Sequence, residues 1–196
     1  FIHPRSAREG SEEFYRNARH GEFWVGRRMT LEETEFAYDI SVRHIDSLDD
    51  FLTHERETLT IRGEDSYIDS RVKEHSDDAS LHTWLAEARL IKDSFEIAEM
   101  QKAIDSTHRG FEDMIRAIPS AVSKKRGERL VEGAFFTRAR YEGNELGYDS
   151  IVAAGSHACV LHWIRNDGEL RNGELILIDA GVEAESLYTA DITRTF

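Results

Sequence analysis

Leu175-Ile176-Leu177-Ile178 is a continuous apolar run that stops abruptly at Asp179-Ala180-Gly181, and this junction constrains the chain more than any other stretch. Four apolar residues in a row, closed by turn-forming residues, read as a strand covered on both faces. A carboxylate at its end is costly unless it is solvated, paired with a cation or bound to a metal. A second acid, Asp191, follows in the next strand-like run, between Ala190 and Ile192. Alternation puts Asp191, Thr193 and Thr195 on the face opposite Ile192, Arg194 and Phe196. If the two runs pair as a hairpin, the acids stand close enough to converge on one cation. Hard carboxylate oxygens suit manganese, magnesium or a mixed divalent pair better than a thiophilic metal. An ordinary reading fits the same pattern, in which Asp179 opens a turn and Asp191 pairs with Arg194 or another base. Spacing does not separate the two.

His162 follows Val160-Leu161 and precedes Trp163, so it reads as part of an apolar strand just before the turn Asn166-Asp167-Gly168. A lone histidine there is either a hydrogen-bonded core residue or, beside a metal-bound carboxylate pair, a donor to a substrate carbonyl and its developing oxyanion. His157 reads as a loop residue. Gly155-Ser156-His157-Ala158 lacks the second glycine of a nucleophile elbow, and Cys159 sits among small apolar residues where a buried, inert thiol is the default.

Upstream, residues 1–62 read as mixed α/β. Glu22 to Gly26 and Thr58 to Arg62 have the character of strands, and Leu31 to Tyr38 and Leu48 to Glu55 that of helices with acids in their first turns. Gly63 to Ser80 is polar and marks a loop-bearing boundary. From Leu81 the period turns helical. Phe95, Ile97, Met100, Ile104, Phe111, Met114, Ile115 and Ile118 form a stripe that Pro119 should end. A second helix spans about Glu128 to Tyr141, followed by strands at Ile151–Ala154, Val160–Trp163, Glu174–Asp179 and Leu187–Phe196. Helices followed by an antiparallel sheet make an α+β arrangement.

With 196 residues, 40% of them hydrophobic, the chain can bury a core. The 38 acidic residues against 25 basic ones leave a net charge of −13, which argues against nucleic-acid and membrane-surface partners. One cysteine cannot form an internal disulfide and no apolar run is long enough to span a bilayer, so the expected compartment is the cytoplasm. The chain opens without Met and closes inside a strand-like run, and it reads as a fragment.

Three blocks, Gly155 to Trp163, Leu177 to Glu183 and Tyr188 to Phe196, together resemble the Xaa-Pro aminopeptidase branch of the pita-bread metallopeptidases, family M24. Arg89 to Met100 is similar to that family's entry into its catalytic domain, and Phe23-Trp24-Val25-Gly26-Arg27-Arg28 to part of its amino-terminal domain. The resemblance implies a partial α/β, creatinase-like domain over residues 1–80 and the first half of a pita-bread catalytic domain over 81–196. It also implies two divalent ions, manganese above all. Asp179 would bind one as a bidentate ligand, Asp191 would bridge both, and His162 would be the catalytic and substrate-binding residue near the scissile bond.

One His and two Glu ligands, with a further substrate-binding His, are expected beyond Phe196, so this chain alone should be inactive. The implied reaction is hydrolysis of the bond preceding proline by a hydroxide activated between two metals. The implied partners are a peptide with proline at its second position, the missing half of the catalytic domain, and further copies in a homodimer or homotetramer. An Xaa-Pro dipeptidase (prolidase) and a metal-free binding or scaffold module are the alternatives. Methionine aminopeptidases lack such an amino-terminal domain, and the creatine-hydrolysing relatives lack these metal carboxylates.

Overall fold

The computed structural model describes residues 1–4, 11–54 and 58–196, which divide into two compact units, Phe1–Leu90 and Ile91–Phe196. The first unit holds six short helices: α1 Glu12–Arg16, α2 Glu22–Val25, α3 Leu31–Tyr38, α4 Leu48–His54, α5 Ser66–Arg71 and α6 Asp78–Ala88. Helix α3 starts at a capping box in which Thr30 and Glu33 satisfy each other's backbone N–H groups. Helices α3 and α4 fall where the acids at their starts place them, and Glu55 lies outside the described residues.

Three expectations for this unit fail. Glu22 to Val25 is helical, not a strand. Its backbone is satisfied by local bonds from Val25 N–H to the Gly21 carbonyl and from Gly26 N–H to the Glu22 carbonyl, and so short an apolar run has no period to tell helix from strand. Thr58 to Arg62 forms no strand either, because side chains do a partner strand's work. The Thr60 N–H donates to Asp78 Oδ1 at 3.0 Å, and the Arg62 guanidinium donates to Asp78 Oδ2 at 2.7 Å and to the Val72 and Lys73 carbonyls. The polar stretch 63–80 contains α5 and the start of α6, each opened by an acid at the positive end of the helix. Asp78 is thus the hub of the unit, and the Arg62 guanidinium, with the Thr60 and His75 N–H groups, holds its carboxyl down at about 2.

In the second unit α7 runs Ser94–Ala121 and α8 Gly127–Glu142, followed by β1 Glu145–Leu146, β2 Ile151–Ala154, β3 Ile176–Ala180, β4 Val182–Glu183 and β5 Ile192–Thr195. This is the α+β arrangement expected. The helical period does not run unbroken from Leu81, because Asp93 and Glu96 form a capping box that restarts the helix at Ser94. Nor does Pro119 end α7. Its ring crowds only the carbonyl of the half-exposed Ile115, and the helix closes two residues later with the Val122 N–H on the Ile118 carbonyl.

The face of α7 that packs inward is built from Ala103, Thr107, Gly110, Phe111 and Met114, whereas Phe95, Ile97, Ile104 and Ile115 of the expected stripe remain exposed. Small residues win because α8 approaches closely. A Cβ on Gly110 would lie 2.5 Å from the Phe135 ring. Phe135, Met114, Val131, Val152 and Ile178 are completely buried where the two helices meet the sheet, each contributing about 1.5–3 kcal/mol of burial.

The sheet is antiparallel in the order β2-β3-β5, with Ile151 opposite Asp179, Asp179 opposite Thr193 and Ala180 opposite Ile192. Strands β1 and β4 form a separate antiparallel pair. Burial along β3 alternates, with Ile176, Ile178 and Ala180 against the helices and Leu177 and Asp179 on the open side, while Leu175 is 67% exposed ahead of the strand. The apolar run is therefore covered on one face, not two. Of the run Leu187–Phe196 only Ile192–Thr195 is strand, because Leu187 takes a left-handed turn conformation and Thr189 makes a single bridge to Glu183. Among the described residues no helix is long and apolar enough to cross a membrane.

The depressed Asp78 carboxyl gives the first unit a signed pH dependence. Its contribution is complete above the ordinary carboxylate value of 3.8 and is lost as pH falls towards about 2. Urea unfolding followed across that window should show Asp78→Asn flattening the acid limb; an unchanged limb would contradict the hub.

Candidate metal and substrate site

The open face of the β2-β3-β5 sheet carries the site. Because side chains alternate along each strand, the register puts Ile151, Asp179 and Thr193 in one row across the three strands. Asp191 lies just before β5, opposite in direction to Ile192, which packs towards the helices. Asp179, Asp191 and His162 all line one open cleft of about 570 Å³, together with Tyr148, Asp149 and Leu161. The three residues singled out from sequence are brought together.

Tyr148 joins the two acids. Its hydroxyl donates to Asp179 Oδ1 in a short hydrogen bond and also lies 3.0 Å from Asp191 Oδ1. Thr193 Oγ1 donates to Asp179 Oδ2. A phenol carries one proton, so it cannot serve two carboxylate oxygens at once. The pair is left short of positive charge at the point where it converges. Partial burial and, next, the bond to Asp179 raise the Tyr148 pKa, so the phenol stays protonated far into alkali. Arg194 donates to the Thr193 carbonyl at 2.7 Å, and Asp179 sits within the sheet, so neither residue plays its part in the turn-and-ion-pair reading.

Gly181 makes this convergence possible. A Cβ there would overlap the carbonyl of Ala190, the residue before Asp191. The Gly147 N–H donates to the Gly181 carbonyl at 2.8 Å, which draws the Tyr148 segment towards the same point. The Val182 N–H donates to Thr107 Oγ1 at 3.0 Å, so the turn after Asp179 is tied to α7.

His162 is exposed and lies in a turn, not a strand: the Ile164 N–H donates to the His162 carbonyl at 2.9 Å, and Leu161 is 86% exposed. Among the described residues no partner strand lies along this segment, and the strand expected at Val160–Trp163 does not form. His157 lies in a 3-10 turn, Gly155–Cys159, stacked on Trp163 with ring centroids 4.0 Å apart, and Cys159 at the end of that turn is exposed, not buried as expected. Sequence reasoning missed Tyr148 and Glu128. Tyr148 follows a glycine ahead of a strand with no local sign of its partners, and Glu128 reads as one more acid at a helix start.

The donor set suits a hard divalent cation, with two carboxylates converging on one hydroxyl and His162 lining the same cleft. Among the described residues no three His, Cys, Asp or Glu side chains converge tightly enough to hold a metal ion. The described residues thus supply two candidate carboxylate ligands.

The sequence model of metallopeptidase family M24 matches residues 98–196. Xaa-Pro aminopeptidase 1 of Streptomyces coelicolor is 47% identical over 100% of this chain and 40% of its own length. Aminopeptidase P from Escherichia coli, solved with the inhibitor Pro-Leu, superposes with a TM-score of 0.73 at 26% identity, over 89% of this chain and 43% of that one. A zinc-substituted form of the same E. coli protein, in complex with product, superposes with a TM-score of 0.70 at 25% identity over the same shares. The chain therefore spans about two fifths of the length of the relatives it matches.

Tyr148→Phe removes the proton shared by the acids. It should lower stability in the absence of metal by about 1 kcal/mol, read by urea denaturation, and a variant as stable as the parent would mean that the bridge is idle. Gly181→Ala should cost at least about 2 kcal/mol in the same assay, because backbone and not a flexible side chain must give way; a fully stable variant would contradict the close approach of residue 181 to Ala190.

Proposed function

The chain belongs to metallopeptidase family M24, and on that premise we propose that the protein releases the first residue of peptides whose second residue is proline. The observation that carries this reading is the convergence of Asp179 and Asp191 on Tyr148 in a cleft that also holds His162. The similarity to Xaa-Pro aminopeptidases supports the choice of substrate. Proline's tertiary amide has no N–H to grip, so an enzyme for this bond must read the ring and the free amino terminus instead.

In this reading Asp179 and Asp191 would both serve as ligands of the divalent ions. Manganese fits the carboxylate donors. Bound there, the ions would supply an activated water and polarise the scissile carbonyl. The other steps belong to the chain itself. His162 donates a hydrogen bond to the carbonyl oxygen and strengthens it as charge develops. Tyr148 and Thr193 orient Asp179 by occupying one oxygen each, which limits the directions in which the carboxylate can turn. Leu161, on the cleft wall, offers the apolar surface that a proline ring needs.

We read residues 1–80 as part of an amino-terminal domain through which copies associate as dimers or tetramers, and residues 81–196 as the first part of the catalytic domain. The single cysteine suits a reducing, cytoplasmic setting.

Full-length protein supplied with manganese should release the first residue of an Xaa-Pro-Xaa tripeptide, and Asp191→Ala should lower kcat/KM by more than the roughly 100-fold ceiling typical of outer-shell partners. Undiminished turnover in that variant would overturn the assignment. Cleavage of Xaa-Pro dipeptides alone would instead identify a dipeptidase.

A further inference from the structure

Glu128 is a completely buried carboxylate that the reaction above does not use. It stands in the first turn of α8 and accepts four hydrogen bonds. The Ala154 N–H at 2.9 Å and His157 Nδ1 at 2.8 Å reach Oε1, and the Trp163 Nε1–H at 2.8 Å and the Gly168 N–H at 2.7 Å reach Oε2. Each oxygen is served by one backbone and one side-chain donor, and the helix N-terminus adds positive potential, so the buried charge is fully compensated. The Glu128 N–H returns a bond to the Gly168 carbonyl at 3.2 Å.

These four donors belong to a short stretch of chain. Ala154 is the last residue of β2, and His157, Trp163 and Gly168 are spread along the segment that carries His162 in its exposed turn. Two further contacts fasten that segment. Asn166, buried and with φ of 46°, accepts from the Val152 N–H at 2.9 Å and donates to the Ser150 carbonyl at 2.8 Å, and the Arg129 guanidinium donates to the Arg165 carbonyl at 3.1 Å. Val152 and Ala154 present their N–H groups on the side of β2 away from β3, where a further strand would have paired. Asn166 and Glu128 take those donors in its place, so the His162 segment is moored along the edge of the sheet. Only glycine fits at the end of the mooring, since a Cβ on Gly168 would lie 2.6 Å from the His157 ring and 2.7 Å from Glu128 Cδ.

We propose that Glu128 is a positioning residue for the peptidase reaction, holding His157, Trp163 and Gly168 so that the turn between them delivers His162 to the cleft beside Asp179 and Asp191. The proposal rests on the functional reading above. Glu128 touches neither carboxylate nor substrate, and its effect passes through His162. A misplacement of about 1 Å at a reacting group can cost on the order of 100-fold in rate, so loosening this mooring should be visible in turnover.

The test is a double-mutant cycle in the full-length protein with manganese and an Xaa-Pro-Xaa tripeptide. Glu128→Gln places an amide N–H against two of the donors and should lower kcat/KM by about 10-fold or more, with bound manganese unchanged. In a His162→Ala background the same substitution should cause little further loss, because the group it positions is gone. Additive losses, or no loss from Glu128→Gln alone, would overturn the proposal, as would a His162→Ala variant with full activity. Trp163→Phe keeps the ring on His157 but deletes one donor, and it runs through the same cycle with a smaller expected loss if Glu128→Gln does not fold. Imidazole NMR of His162 gives a readout independent of turnover. Its resonances should shift and broaden in Glu128→Gln, and unchanged resonances would refute the positioning role. A parent enzyme that leaves the tripeptide intact would instead defeat the functional reading, which the NMR arm does not depend on.

Discussion

The register of β3 against its two neighbours is the constraint on which the site depends. Side chains on a strand alternate, so a slip of one residue would turn Asp179 into the helix-covered face and bring Ile178 out into the cleft. Burying an acid among Phe135, Met114 and Val152 would be far more costly than leaving it on the open side. The hydrophobic packing of α7 and α8 on Ile176, Ile178 and Ala180 therefore fixes the orientation of the carboxylate without touching it. The same packing sets Ile192 inward and so sends Asp191 outward to meet Asp179. Packing and chemistry are two faces of a single alternation.

The second unit treats its negative charges in two opposite ways. Glu128 is removed from water and saturated with donors, a state that fixes structure and leaves no capacity for another ligand. Asp179 and Asp191 share a phenol that can satisfy only one of them, and both face open space. An under-compensated pair retains affinity for a cation, whereas a saturated carboxylate does not. The contrast distinguishes a structural acid from a candidate ligand by its hydrogen-bond inventory.

Much of this was legible from the chain alone. The strand running into Asp179, the alternation after Asp191 and the helix expected at about Glu128 to Tyr141 each carry a local signal and form there, although the apolar run is covered on one face and not on both. The failures share a cause. Glu22 to Val25, Thr58 to Arg62 and Val160 to Trp163 have strand-like composition but no partner strand among the described residues: the first closes local helical bonds, Asp78 takes the Thr60 N–H of the second, and the third is left in turns. The α7 stripe departs from expectation because the close approach of α8 favours Gly110, while Thr107 meets β4, where its hydroxyl takes the Val182 N–H. Tyr148 and Glu128 escaped notice for the same reason: each acts across more than twenty residues of sequence, on partners that only the folded register supplies.

The moored segment along β2 also gives the sheet a direction. On that side the outward N–H groups of Val152 and Ala154 are already taken by Asn166 and Glu128. On the other side β5 ends the strand order among the described residues, with half-exposed or exposed side chains along its length. A sheet sealed on one flank and unsealed on the other can be extended only past β5. Any strand recruited to it, from the same polypeptide or by unwanted association at high concentration, must add on the flank nearest Asp191.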